Sequence, residues 1–222
     1  MEIINFRFND LQVNTFIVID TDTKQCVIID PGCYSNQECD FLVNYISKNK
    51  LSPKFVINTH CHSDHILGVK FITDYYKIPF LANINDQYLL DSAEKFAYRF
   101  DWNVKLPIII NQPTKDGDII KFGNSELKIL HTPGHTPGQQ AIYSDKEKFM
   151  IVGDTIFKGT IGRTDLPGGD LDQLMDSIKN KILTFDPDFT IFPGHGESTK
   201  VSIEMTENPF FNLFGEEKFD IE

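Results

Sequence analysis

Little in this sequence points to export, a membrane or nucleic acid. Its 222 residues include four cysteines, Cys26, Cys33, Cys39 and Cys61, and no CxxC pair. That argues against a disulfide framework and a zinc ribbon, and a chain of this length needs neither to hold a core. Free thiols are expected. Positive charge is scarce too: 21 Lys plus Arg against 32 Asp plus Glu leave a net charge of −11. A surface of that sign repels phosphate backbones, which disfavours nucleic-acid binding. The apolar runs at 27–29 and 108–110 fall far short of the roughly 20 residues that a membrane helix needs. The start, MEIINFRFND, lacks the basic-then-apolar pattern of an export signal, so a cytoplasmic protein is expected. What is present is a 41% hydrophobic composition, enough to bury a core in a single domain spanning residues 1–222.

Apolar runs bounded by turn residues predict strands over 3–8, 14–19, 26–30, 54–58, 118–122, 127–131, 140–144, 148–152 and 189–192. Amphipathic spacing predicts helices over 36–49, 68–76, 85–100 and 171–183, with a short one near 202–206. Residues 101–115, carrying Pro107 and Pro113, read as a loop crossing the surface. The tail cluster of Phe210, Phe211, Leu213 and Phe214 is expected to pack on the core, with lining the pocket or meeting another subunit as the alternatives. Strands early and late with helices between them imply an α/β fold of two sheets covered by helices. Four strand-like runs end directly in polar residues: VIIDPG, FVINTHCHSDH, FMIVGDT and FTIFPGHG. Side chains at strand ends are held by a rigid scaffold while the following loop stays open to substrate.

The six histidines are clustered: His60, His62 and His65, then His131 and His135, then His195. Where a chain leaves a strand, residues two apart project to the same side, so His60 and His62 can approach one ion while Cys61 points away. The next turn can bring Asp64 and His65 to a second ion beside the first. Imidazole suits zinc, iron and similar metals, and a carboxylate compensates charge. The two Pro-Gly pairs of HTPGHTPG make a stiff loop able to fix His135. His131, at the strand end before that loop, is expected to pack or hydrogen-bond rather than ligate. Asp154 in GDT ends a strand with a carboxylate that could bridge two cations, and His195 adds an imidazole from a glycine turn.

Taken in order, HxHxDH, GH, GD and GH resemble the metallo-β-lactamase superfamily of metallohydrolases, from about Asn14 onward. The resemblance implies a four-layer αββα sandwich with metals at the edge between the sheets. It implies that His60, His62 and His135 hold one metal and that Asp64, His65 and His195 hold the second. Asp154 would bridge them, which makes Asp64 and Asp154 the catalytic carboxylates. The implied cofactors are two divalent ions, zinc first, with iron or manganese as alternatives. A divalent cation lowers the pKa of water to about 7 and polarises a carbonyl, so hydroxide rather than Ser or Cys is the expected nucleophile.

The stretch GTIGRTDLPGGD, with PGHGEST, resembles the glyoxalase II-like branch, whose members hydrolyse acyl-glutathione thioesters. A small thioester is the implied substrate, and a thiolate with a pKa near ~8.5 leaves without a strong general acid. Arg163 is a candidate clamp for a substrate carboxylate; an internal pair with Asp165 is the other role open to it. The chain ends 27 residues after His195, so the helical glutathione-binding domain of full-length glyoxalase II is expected to be missing. THCHSDHILG and GRTD are similar to persulfide dioxygenases as well, which implies as an alternative a single iron on His60, His135 and Asp154. A lactone or ester hydrolase of the same superfamily is the remaining alternative. Oligomeric state is left open.

Overall fold

The computed structural model describes residues 1–213. Its first sheet runs in the order β1 (Glu2–Phe8), β2 (Val13–Ile19), β3 (Gln25–Ile29), β4 (Ser52–Ile57), β5 (Phe80–Asn83) and β6 (Gln112–Thr114). β1, β2 and β3 pair antiparallel, whereas β3, β4, β5 and β6 run parallel. The second sheet begins as an antiparallel meander of β7 (Ile119–Phe122), β8 (Ser125–His131), β9 (Gln140–Ser144) and β10 (Phe149–Gly153). A small hairpin of β11 (Ile156–Phe157) and β12 (Thr160–Ile161) follows. Then β13 (Thr190–Pro193) joins parallel to β10, and β14 (Thr199–Lys200) takes the edge.

Side chains alternate faces along a strand, and here the alternation separates three cores. Phe16 and Val18 of β2 face the other sheet and meet Ile129, Ile142 and Ile151. Ile17 and Ile19 face away, into a core shared with α1 (Asn36–Lys48), α2 (Ser63–Ile66), α3 (Val69–Tyr76), α4 (Gln87–Asp91) and α5 (Ala93–Ala97). On β10, Phe149 and Ile151 point inward, while Met150 and Val152 pack against α6 (Leu171–Asn180) and α7 (Val201–Glu207). The layers are helix, sheet, sheet, helix, as the resemblance implies. Local chemistry agrees with this layout: α1 starts at a capping box in which Ser35 and Glu38 satisfy each other's backbone N–H groups. Phe210 and Phe211, on α8 (Pro209–Leu213), lie half-buried against the outer core of the second sheet, whereas Phe214 lies outside the described residues.

Three expectations need correction. Residues 85–100 do not form one helix: α4 ends at Asp91, and Ser92, with φ of −106° and ψ of 6°, separates it from α5. Residues 101–115 are not a plain surface loop, because Trp102, Val104, Ile108 and Ile110 are buried in the first core and the segment ends in β6. β5 was not expected either; it is a four-residue, fully buried parallel strand with no alternation to mark it. No helix among the described residues is long and apolar enough to cross a membrane.

The carboxyl ends of β3 and β4, and of β10 and β13, meet at one edge of the sandwich. The sheets are stitched there by Asn14 N–H donating to the Gly194 carbonyl (2.7 Å) and Gln140 N–H donating to the Thr59 carbonyl (2.8 Å). That edge is where the histidine motifs lie.

Candidate metal centre

Each candidate ligand sits just past a strand. From β4 the chain passes Asn58 and Thr59 to His60, and α2 then begins after His62, so its single turn sends Asp64 and His65 to a different side. β8 leads to His135, β10 to Asp154 and β13 to His195. Close approach is built in at Gly194, where a Cβ would collide with Asp154 Oδ1. A Cβ at Gly162 would collide with the Asp154 carbonyl, so the GTIGRTD loop lies directly against this residue.

The outcome is two trios. His60, His62 and His135 each offer a ligand atom within 4.8 Å of the others, and so do Asp64, His65 and His195. Asp154 lies between them: its Oδ1 is 3.5 Å from His65 Nε2, and its Oδ2 is 3.6 Å from His135 Nε2 and 3.7 Å from His195 Nε2. Asp64 Oδ2 lies 3.2 Å from His195 Nε2 and 3.6 Å from His65 Nε2. Asp30, His60 and His65 also fall within the same span. Asp30 is otherwise engaged, however: it accepts from Thr59 N (2.7 Å), Thr59 Oγ1 (2.6 Å) and His65 Nδ1 (3.0 Å), and so acts behind His65.

Hydrogen bonds on the far side of the rings fix which nitrogen faces inward. A carbonyl or carboxylate can only accept, so the ring nitrogen bonded to it carries the proton. His135 Nδ1–H donates to the Arg163 carbonyl (2.8 Å), His195 Nδ1–H to the Leu11 carbonyl (2.9 Å) and His65 Nδ1–H to Asp30. Thr59 Oγ1 gives its proton to Asp30 and so accepts from His60 Nδ1 at 3.2 Å. Each of these rings therefore turns Nε2 to the centre, while His62 presents Nδ1, 2.9 Å from His135 Nε2. Such outer partners orient ligands and raise their basicity. Buried His60 Nε2, His65 Nε2 and Asp154 Oδ1 have no hydrogen-bond partner in the protein, which is costly unless a cation takes their lone pairs. The donor set fits divalent metal ions.

Without metal the cluster divides its charge. Burial works against a charged His65, but Asp64, Asp154 and Asp30 outweigh it and push the imidazole up to about 10. Burial, with His135 beside it, pushes His62 down to about 3. Burial also favours a neutral Asp64, yet His65, His195 and His62 hold its carboxyl well below the usual range. A His65 pKa raised from 6.5 to about 10 stabilises the metal-free fold fully below pH 6.5 and ceases to do so as pH rises through 10. The urea midpoint of the metal-free protein is therefore expected to fall between pH 7 and 10. His65→Asn should flatten that alkaline limb; an identical limb in the variant would show that His65 does not hold the proton.

The remaining candidates are also placed. The Arg163 guanidinium forms two hydrogen bonds of 2.7 Å to Asp165, so its side chain shapes the loop while its carbonyl orients His135. His131 Nε2 donates to the Pro137 carbonyl (2.8 Å), a structural role. Cys61 points into the first core, 1% exposed. Three supporting residues have no role assigned by the sequence. Asp30 is one, although its DPG at a strand end is part of the family resemblance. Asn58 donates to the carbonyls of His60 (3.2 Å) and His65 (2.8 Å). Asp86 accepts from Cys61 N, Thr136 Oγ1 and Gly138 N, and no local motif announces it.

Residues 8–195 match the metallo-beta-lactamase superfamily. The chain belongs to that superfamily. Within it, the chain is 34% identical over 203 residues to hydroxyacylglutathione hydrolase GloC of Haemophilus influenzae, covering 90% of this chain and 93% of that one. Among solved structures it resembles the BLEG-1 B3 metallo-beta-lactamase, with a TM-score of 0.86, 31% identity and coverage of 94% and 99%. It also resembles TTHA1623 in a di-iron-bound form, with a TM-score of 0.83, 29% identity and coverage of 93% and 99%. The superfamily and the branch toward GloC agree with the motifs read from the sequence.

Above the candidate metal centre lies a cavity of about 310 Å³ whose lining includes His62, Asp64, His135, Asp154 and His195. Its other wall is apolar, with Leu89, Phe96, Phe100 and Trp102 from the segment that follows β5.

Proposed function

We propose that the protein is a dinuclear metallohydrolase that cleaves a small acyl thioester, an acyl-glutathione or similar acyl-thiol. The observation that carries this reading is the pair of complete ligand trios with the two Asp154 oxygens turned to different partners. His60, His62 and His135 would hold one ion, Asp64, His65 and His195 the other, and Asp154 both. Zinc suits this imidazole-rich set, and iron or manganese are compatible with it. Bound divalent ions supply a nucleophile at neutral pH, by lowering the pKa of water to about 7, and a Lewis acid for the carbonyl.

The chain's own residues do the rest. Asp64 and Asp154 contribute the negative charge that two neighbouring cations require. The aromatic wall excludes water from the substrate side and strengthens the electrostatics of the floor. Both roles need little else, because a thiolate with a pKa near ~8.5 departs unassisted. The cysteines are all buried, so none is placed as a nucleophile. The likeness to GloC supports the thioester class.

Protein purified without added metal is expected to carry near two ions per chain and to hydrolyse S-lactoylglutathione under anaerobic conditions. Metal analysis and a thiol-release assay check this. One iron per chain, with oxygen uptake on glutathione persulfide, would replace this reading with the single-iron alternative.

A further inference from the structure

Two arginines reach the cavity above the metal centre, and they are not equivalent. Arg163 is already consumed by its bidentate pair with Asp165. Arg99, on the 3-10 turn Tyr98–Phe100, is exposed and has no hydrogen-bond or ion-pair partner among the described residues. The carboxylates that line the cavity, Asp64 and Asp154, both belong to the centre. Arg99 adjoins an apolar surface in which Phe100 and Trp102 stack, with centroids 4.6 Å apart and planes at 19°. The cavity therefore has a metal-binding floor, an apolar wall and one unengaged guanidinium.

That arrangement fits a ligand with three parts. A guanidinium presents a fork that matches a carboxylate, and a free one needs no prior partner displaced before it binds. When the acyl group is small, only the thiol half is long enough to extend from the floor along the wall. Resting on the thioesterase reading above, we propose that Arg99 is a specificity residue. It binds a free carboxylate on the thiol half of the substrate, while Phe96, Phe100 and Trp102 take the apolar stretch between that carboxylate and the thioester.

Trp102 is the only tryptophan of the chain and lies 6% exposed in this wall, so its fluorescence reports occupancy without turnover. The probes are S-hexylglutathione, a thioether that resists hydrolysis, and its diethyl ester, which has no free carboxylate. The zinc-loaded protein is expected to bind the free acid about tenfold more tightly than the ester, equivalent to about 1.4 kcal/mol. Arg99→Gln should abolish that preference and leave ester affinity within about twofold, while Arg99→Lys keeps part of it. Because Arg99 is exposed, salt of roughly 0.5 M should shrink the preference. Equal affinity of the unmodified protein for both probes, an unchanged preference in Arg99→Gln, or binding of neither probe overturns the assignment. Hydrolysis of S-lactoylglutathione is scored separately. Cleavage without Arg99-dependent binding removes the subsite and leaves the thioesterase; Arg99-dependent binding without cleavage does the reverse.

Discussion

Asp154→Ala is expected to lower metal content from near two ions per chain to one or fewer and to reduce thioester turnover by on the order of 10³-fold. Asp154 turns one oxygen toward His65 and the other toward His135 and His195, so its removal takes a donor from both trios at once. With two cations bound as proposed, it would also leave Asp64 as the one carboxylate of the two trios, and the cations' mutual repulsion would be poorly offset. Asp154→Asn separates charge from shape. It fills the same space beside Gly194 but carries no charge, and is expected to lose metal nearly as completely as the alanine variant. Metal analysis by mass spectrometry after gel filtration, beside turnover at saturating zinc, makes the measurement. Two retained ions and near-normal activity in Asp154→Asn would show that the carboxylate does not join the sites. Circular dichroism of the metal-free variants, compared with the metal-free parent, separates this loss from misfolding.

The clustering of the candidate ligands is legible because its signal is local. His60 and His62 flank one residue at the end of a buried strand, and Pro-Gly pairs bracket His135, so spacing singles these residues out, while the resemblance supplies their division between two metals. The supports are a different kind of object. Asp30 meets His65 across 35 positions, and Asp86 meets Thr136 across 50, and nothing near either carboxylate encodes its partner. A buried aspartate in a turn and a solvated one read alike until the fold joins distant loops.

The same physics explains what was missed in the fold. β2 and β10 were found because branched apolar residues fill whole runs that end in turns. β6 contains Pro113, which lacks an N–H, so its segment read as a loop; the sheet order puts it at an edge, where such a residue is tolerated. The 85–100 stretch has helical composition throughout, yet Asp86 is drawn inward to receive three donors and the helix breaks again at Ser92. That broken segment supplies Leu89, Phe96, Arg99 and Phe100 to the cavity. The cavity wall thus lies where sequence periodicity is least informative, in a segment shaped by tertiary contacts.

Asp86 connects this wall to the centre, and Asp86→Ala is expected to harm both stability and metal binding. The carboxylate is fully buried and receives Cys61 N–H (3.0 Å), Thr136 Oγ1–H (2.9 Å) and Gly138 N–H (2.7 Å). Burial pushes its pKa up, and these donors oppose the rise. Cys61 lies between His60 and His62, while Thr136 and Gly138 follow His135, so one carboxylate ties together the two loops of a single trio. Alanine leaves three buried donors without an acceptor, a cost of about 3–5 kcal/mol, since each unpaired group costs ~1–3 and some relax. For a chain of this size that corresponds to a fall in melting temperature of about 6–20 °C, read in the metal-free state by calorimetry. Asn should rescue little, because its amide would direct hydrogens at some of the same donors. The effect on metal is expected to be lopsided. Affinity at the His60, His62 and His135 trio should fall by about 10–100-fold, the usual range for lost outer partners, while the Asp64, His65 and His195 trio, braced by Asp30, is affected less. Stepwise competition with a chromophoric chelator resolves the two binding events. Equal weakening of both, or an unchanged melting temperature, would mean that Asp86 does not hold these loops together.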